Sequence, residues 1–552
     1  MDEQKDKKKK PNICKWIGLA LLAILIILAL FFQAPWKVIA TLLIILAACT
    51  ILPKPYKKWF WLSVAAVVLA LIIWVFLPED NEGWRPYTFD EEFAALETKH
   101  AIPDSENAAK IYNQLLKDYN DDVFDANLSY GAQFRLRSGK TLLSEDESEV
   151  REWLQQHKTT VDELLKASEI KKCRFTMSQY NVTSTRSMKR LSAMRNWAFL
   201  LVAAANNNFR EGRTDKALEQ LIAAVQMGKH ENQQGTMGDI LVGINIEAMV
   251  IKQFKNFIVD GEASEEHLSL ISKPLADIKH DWSSDLPGIL EWERLFAKSS
   301  LARMFYQINP QGRIRLSRDP YAEWRTDFEE RVKTGVIDSK QVFDLWKLWI
   351  YPSYFQKKII RSKTILNWFL IPSTPQKAAK IVDALYERYA PMSDPSFDWK
   401  KERKETYKGF DFNCPSPFRW LLVILEPPLY SFHNVYIRSI AEQRGTLLIV
   451  ALRRYKNEHG RWPDHLDDIR SMVLAEIFID PFNSGSFVYK LTQDGFTLYS
   501  KGQNNIDEDG NSEWWGRRKG PDDWLIWPTS SRKTKKEKAD SNQSNKQKGV
   551  VK

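Results

Sequence analysis

At 552 residues the chain is long enough for several domains and a sizeable buried core. Its formal charge of +9 sits at the ends: residues 1–15 carry +3, Lys37, Lys54, Lys57 and Lys58 add +4, and the stretch from Arg532 to Lys552 adds +6, which leaves 78–528 at −4. A body without basic excess offers nothing to a phosphate backbone, so nucleic acid is not an expected partner. The four cysteines, Cys14, Cys49, Cys173 and Cys414, form no CxxC pair, which excludes a zinc ribbon or a thioredoxin motif. Cys173 and Cys414 lie beyond the apolar N-terminal region and read either as one long-range disulfide or as two buried thiols.

Residues 1–15 read as a basic cytoplasmic segment, and 16–78 as three transmembrane helices built on the apolar runs Ile17–Phe32, Val38–Leu52 and Trp59–Leu77. A span needs about 20 apolar residues. The third run reaches that alone, and the first two reach it with their flanks, as a hairpin through Gln33–Lys37. KKKK (7–10) precedes the first run and KPYKK (54–58) separates the second from the third, whereas the other loop holds only Lys37 and PEDNE (78–82) follows the third run. Positive loops stay inside, so the order is in–out–in–out. The expectation is a multi-pass protein of a bacterial inner (cytoplasmic) membrane, with the lipid bilayer as a partner and the large C-terminal region periplasmic. Trp16, Trp36, Tyr56, Trp59 and Trp74 fall near the run ends, where interfacial aromatics belong. LAAC (46–49) resembles a lipoprotein cleavage box, but it lies behind a complete apolar run and reads as part of a span.

From 84 to 425 the signals are helical. In IPDSENAAKIYNQLLKDY, Asp104 is placed to cap, and Ala108, Ile111, Tyr112, Leu115, Leu116 and Tyr119 repeat along one face. Ser144–Glu147 and Thr160–Glu163 have capping-box spacing and are expected to open two further helices. In 200–231, Ala205, Gly212, Ala217, Leu221 and Ala224 stand at the spacing of a tetratricopeptide repeat, with Asn208 where that repeat has Tyr. One such unit cannot make a solenoid, so the expectation is an irregular, degenerate TPR-like helical body, with 238–258 packed on the pair. The segment 343–372 mixes aromatics with bases. It reads as two core helices broken at Pro352, the alternative being a segment lying on the membrane.

At 426–528 the pieces become specific. A helix of about 30 residues starts near Pro427–Pro428 with a stripe of Ile440, Leu447, Leu448, Ala451, Leu452 and Tyr455, stops at Gly460 and cannot resume past Pro463. HLDDI reads as one short turn, IDPFNSG as a loop, FVYKL and FTLYS as strands joined through TQDG, and DEDG and DDWLIW close the stretch. Taken in that order, YKNEHGRWPDHLDDI, IDPFNSGSFVYK, DGFTLYSKGQN, DEDG and DDWLI resemble the C-terminal half of a type II secretion major pseudopilin, over 80–100 of the 552 residues. The resemblance implies an α+β module with a long helix, a small antiparallel sheet and a calcium loop. No prepilin cleavage motif precedes this helix, and PP, His433 and Arg438 interrupt its approach, so fibre assembly by the pilin route is not expected. The whole arrangement also resembles membrane-anchored bacterial envelope proteins, a likeness that carries no activity. Residues 529–552 read as a disordered basic tail.

The fold class expected is therefore mainly α: N-terminal transmembrane helices, an irregular helical body and a C-terminal pseudopilin-like α+β module. Asn505-Ile506-Asp507-Glu508-Asp509-Gly510 has the first half of a calcium loop, but Gly516 stands where an EF-hand needs a bidentate Glu. The resemblance implies closure by Asp522 and Asp523 instead, giving Asp507, Asp509, Asp522 and Asp523 as candidate Ca²⁺ ligands; the bland alternative is a solvated acidic turn. HENQQ (230–234) lacks the second His of a zinc-protease helix, His459 and His465 lie in a turn region, and neither G-x-S-x-G nor a phosphate loop occurs. No catalytic residue and no small-molecule substrate is assigned. The leading expectation is a non-enzymatic envelope scaffold that presents the module to other envelope proteins. The alternative is an envelope hydrolase with its site between the helical body and the module.

Overall fold

The computed structural model describes residues 85–124, 128–133, 144–177, 185–302, 305–307, 314–316, 374–397, 399, 428–493, 495–511 and 521–528. The three expected spans at 16–78, the segment 343–372, Cys414 and the tail 529–552 lie outside these residues. Among the described residues no helix is long and apolar enough to cross a membrane. They form a mainly helical fold with two small antiparallel sheets. The helices are α1 (Asp90–His100), α2 (Ala109–Asp118), α3 (Asp121–Phe124), α4 (Ser144–Gln156), α5 (Lys158–Glu169), α6 (Thr185–Arg210), α7 (Thr214–Asn232), α8 (Met237–Asp260), α9 (Glu265–Ala276), α10 (Trp282–Ala302), α11 (Pro375–Glu387) and α12 (Leu429–His459). The strands are β1 (Arg85–Pro86), β2 (Phe305–Gln307), β3 (Ile314–Leu316), β4 (Val488–Thr492), β5 (Gly495–Ser500) and β6 (Trp524–Trp527).

Two compact units result. The smaller one (Met1–Glu92, Arg294–Tyr389, Asp398–Pro427) holds β1, β2 and β3, paired in that order. Strands of two or three residues give no readable alternation, which is why the sequence showed no sheet here. In the same unit α11 opens on Thr374, whose hydroxyl accepts from the Lys377 amide at 3.3 Å, with Pro375 at the first helical position. Lys298 joins Glu92 (3.1 Å) to Asp383 (3.0 Å).

The larger unit comprises Phe93–Glu293, Ala390–Phe397 and Pro428–Lys552. Its centre is the stack of α6, α7 and α8, with α12 packed across α8 and α9. Ala205, Ala217, Leu221 and Ala224 are fully buried where α6 meets α7, as the repeat-like spacing required. Asn208 is buried too. Its amide donates to Gln220 Oε1 at 2.8 Å and its carbonyl oxygen accepts from Arg213 Nε at 2.7 Å, so a polar pair replaces the aromatic packing expected there. Two caps differ from expectation. Asp104 sits in a 3₁₀ turn, and it is Asn107 Oδ1 that accepts from the Ala109 amide (3.0 Å) and the Arg174 amide (2.9 Å). Thr160 lies inside α5, which begins at Lys158, because α4 and α5 are separated only by His157.

The C-terminal stretch folds as its turn residues dictate. Gly460 takes the left-handed cap (φ 74°) and ends the 31-residue α12. The 3₁₀ turn Leu466–Ile469 follows, and β4, β5 and β6 pair antiparallel with Thr492 opposite Gly495 and Ser500 opposite Trp524. β5 is buried from Phe496 to Ser500 because it is the middle strand, lying under α12. Gly445 lets β6 approach α12 as well, since a Cβ there would lie 2.7 Å from Ile526 Cγ2. α12 and β6 are tied to the helical body. The Gln443 amide donates to the carbonyls of Leu275 (2.7 Å) and Ile278 (2.6 Å), and Lys255 Nζ reaches both Glu442 Oε2 (2.6 Å) and the Ile526 carbonyl (2.9 Å). One hydrophobic core runs from the α2 region to Trp527.

Candidate functional site

The acidic loop is built outward from a buried turn. Asp480 Oδ1 accepts from the Phe482 amide (3.0 Å) and Oδ2 from the Asn483 side chain (2.8 Å), which also donates to the Gly502 carbonyl (3.0 Å). That ties the IDPFNSG loop to the end of β5. The chain then turns through left-handed residues at Gly502, Asn505, Asp509 and Gly510, and the C-terminal strand returns against it.

The four candidate aspartates divide into two pairs. Asp507 Oδ1 accepts from the Tyr499 hydroxyl (2.6 Å) and from the Asp509 amide (3.0 Å), while Lys490 Nζ lies 3.3 Å from Asp507 Oδ2 and 2.6 Å from Asp509 Oδ1. The Tyr499 hydroxyl, with the Asp509 amide and Lys490, holds the Asp507 carboxyl below its usual range. Asp523 is fully buried: its Oδ2 accepts from the Glu508 (2.9 Å) and Gly510 (2.8 Å) amides, and its Oδ1 has no hydrogen-bond partner. Burial pushes the Asp523 carboxyl up to about 6, against the pull of those two amides. Asp522 accepts from the Asn504 amide (3.3 Å), and its own amide donates to Glu508 Oε2 (2.7 Å). Among the described residues no group of three or more His, Cys, Asp or Glu side chains is arranged to hold a metal. Lys490, read from the sequence only as part of a strand, is the cation that Asp507 and Asp509 share.

A second polar cluster, not read from the sequence, lies inside the helical body. Arg190 on α6 holds Glu231 on α7 through both carboxylate oxygens (3.0 and 2.9 Å) and also donates to Asp239 on α8. Thr236 donates to Asp239 at 2.7 Å, and Glu293 accepts from the Met237 amide at 2.9 Å. Burial raises the Glu231 carboxyl against the field of Arg190, and it pushes Glu293 up to about 7 with help from Asp239. His230 bridges the Tyr112 hydroxyl (2.9 Å) and the Ile170 carbonyl (2.7 Å), and burial holds its imidazole down at about 4. Gln233 and Gln234 pair with the backbone of Cys173 and Phe175, so HENQQ secures a buried extended segment beside the free thiol of Cys173. The signal available in the sequence was the placement of Glu231 and Asp239 on otherwise apolar helix faces.

Between α8 and α12, where the hydrolase alternative placed a site, lies a pocket of about 400 Å³. Ile244, Ile251, Val435 and Trp524 form its apolar wall, and Glu247, Arg438 and Glu442 are its charged residues. Glu247 accepts from His280 Nε2 (2.8 Å) and Asn232 (2.8 Å); Glu442 accepts from Lys255 (2.6 Å) and from Trp524 Nε1 (2.9 Å). Comparison of the chain with protein-family models, with curated proteins and with solved structures finds no match.

Proposed function

We propose that this chain is a non-enzymatic, membrane-anchored envelope protein. Three spans at 16–78 hold it in the inner membrane, and a degenerate TPR-like helical body presents a pseudopilin-like α+β module to other envelope proteins. The observation that carries the reading is the sheet edge. The strand order puts β4 at the margin, where Leu491 is 45% exposed, and the loop that Lys490 on β4 reaches through Asp507 presents Ile506 (59%). An edge strand with apolar side chains beside it is a surface on which another chain can add main-chain hydrogen bonds. The packing of α12 on α8 and α9 supports it, since a presented surface needs a frame behind it.

Calcium belongs to the same proposal. The unsatisfied Oδ1 of buried Asp523, beside Asp522, suits a hard cation held by oxygen alone, and Asp507 and Asp509 would join it only by releasing Lys490. The test of the main reading uses the full-length protein in native envelopes. A photocrosslinking residue in place of Leu491 should give a discrete adduct with an envelope protein, and one in place of Leu270, exposed on α9, should not. Equal labelling from both positions, or none from Leu491, would reject the sheet edge as a contact surface. A reporter fused after Pro528 should be active only outside the cytoplasm.

A further inference from the structure

We propose that the cavity between α2, α3 and α5 binds a short neutral saccharide, its hydroxyls on the polar side chains of the lining and its C–H faces on the apolar ones. This reading is independent of the scaffold function. The cavity holds about 680 Å³, within the range of small-ligand sites, roughly 300–1,000 Å³. Its lining residues all belong to the larger unit. Ile111 and Leu115 on α2 and Val123 on α3 give an aliphatic wall, and the Tyr119 and Phe124 rings, with centroids 5.6 Å apart, add aromatic surface.

The polar lining decides the charge and the hydrogen-bonding character of the ligand. Gln114, Asn120, Thr159 and Thr160 bring amides and hydroxyls, and Asp118 and Glu163 bring carboxylates. No lysine or arginine is among the lining residues, so an anion would meet two carboxylates with no base beside it. Glu163 meets Lys166 through Oε1 alone (2.6 Å), which leaves Oε2 as an acceptor. Trp197 on α6 also lines the cavity and is 2% exposed, and among the described residues its indole N–H meets no acceptor. An indole N–H only donates, and a buried donor left unpaired costs free energy. A ligand oxygen would satisfy it, whereas an ammonium could not. His157 sets the opposite requirement. Its Nε2 donates to the Phe124 carbonyl at 3.2 Å, and burial holds its imidazole below its usual range, so Nδ1 is an acceptor. The ligand must therefore accept from Trp197 and donate to His157, Asp118 and Glu163. A hydroxyl does both, and a sugar ring carries several of them beside apolar C–H faces.

The test uses full-length protein in lipid nanodiscs, titrated calorimetrically with maltotriose and with triacetylchitotriose, and empty nanodiscs as the blank. At least one of the two trisaccharides should bind saturably above the blank. Trp197→Phe, which keeps a ring but removes the N–H, should weaken that binding about fivefold, the scale of one neutral hydrogen bond. Asp118→Ala should weaken it further, because an ionised acceptor makes the stronger bond. Thr159→Trp, a bulky substitution at an exposed lining position, should abolish binding without moving the melting temperature. Binding of neither trisaccharide would overturn the proposal. So would binding that survives Thr159→Trp or keeps its full strength in Trp197→Phe, and so would spermidine or glucuronate binding more tightly than both trisaccharides.

Discussion

Two clusters in this protein set several carboxylates around a single base, and they differ in nearly every consequence. In the helical body, Arg190 faces Glu231 and Asp239 with side chains at most 10% exposed. In the acidic loop, Lys490 faces Asp507 and Asp509 with side chains 40% to 73% exposed. The planar guanidinium of Arg190 gives Nη1 to both oxygens of Glu231 and Nη2 to Asp239, so its fork fixes two carboxylates, whereas lysine is a point charge on a flexible stem. Burial makes the first cluster a requirement of the fold, because neither carboxylate can find water if the base is lost. Exposure makes the second dispensable: water screens the Lys490 ammonium and solvates either aspartate if that base is lost. The residue types alone would not have separated the two.

The difference can be broken most directly at Arg190. Arg190→Met should cost about 3–5 kcal/mol, the range for removing one partner of a buried pair. If the variant does not fold, adding Glu231→Gln and Asp239→Asn should restore it in part. A melting temperature close to wild type would show the body cluster to be as replaceable as the loop. The loop is probed with calcium. Full-length protein should melt higher in millimolar Ca²⁺ than in chelator, by about 2.7 kcal/mol at 100 times Kd, and Asp522→Ala with Asp523→Ala should erase the difference. Coincident curves for the wild type would leave Lys490 and the backbone amides as the whole of the loop's support.

A pH series sharpens the contrast further. Glu293 has a folded-state pKa raised to about 7 from 4.5, so its contribution is full below about 4.5 and is lost as pH rises through 7. Glu293→Gln, which keeps an acceptor for the Met237 amide, should remove that loss, so its advantage over wild type grows from pH 5 to pH 8. Asp523→Asn, measured in chelator, should act with the same sign over the lower window from 3.8 to about 6. His230 runs the other way: its imidazole is held at about 4, so stability is lost as pH falls from 6.5 toward 4, and the comparison must be variant against wild type at each pH. The smallest effect belongs to Lys490→Met, within about 1 kcal/mol in chelator, with a larger calcium shift than wild type because the competing ammonium is gone.

Much of the C-terminal stretch was legible because its instructions are local. Gly460, Pro463 and the TQDG turn each act on backbone within four residues, and the end of α12 and the β4–β5 hairpin fall where those residues put them. The three-and-four spacing in α2, α7 and α8 likewise placed their buried faces, while the cap expected at Asp104 passed to Asn107 and the one expected at Thr160 fell inside α5, which starts early after His157. What escaped was partnership. The stripe expected on α12 is in fact burial on all sides from Gly445 to Leu452, because body helices cover one face and the sheet the other.

The sequence by itself determined the helical character, the stop at Gly460, the order of turn, hairpin and final strand, and the absence of basic excess in the body. Each follows from covalent limits on φ and ψ, from side-chain period or from charge count. Only the tertiary structure decided that 428–528 shares a core with α8 and α9, that Lys490 lies between Asp507 and Asp509, and that Arg190 holds Glu231 and Asp239. Those contacts join residues from 17 to 271 positions apart. Which distant groups meet depends on how all the apolar faces are covered together, a condition that no window of neighbouring residues contains.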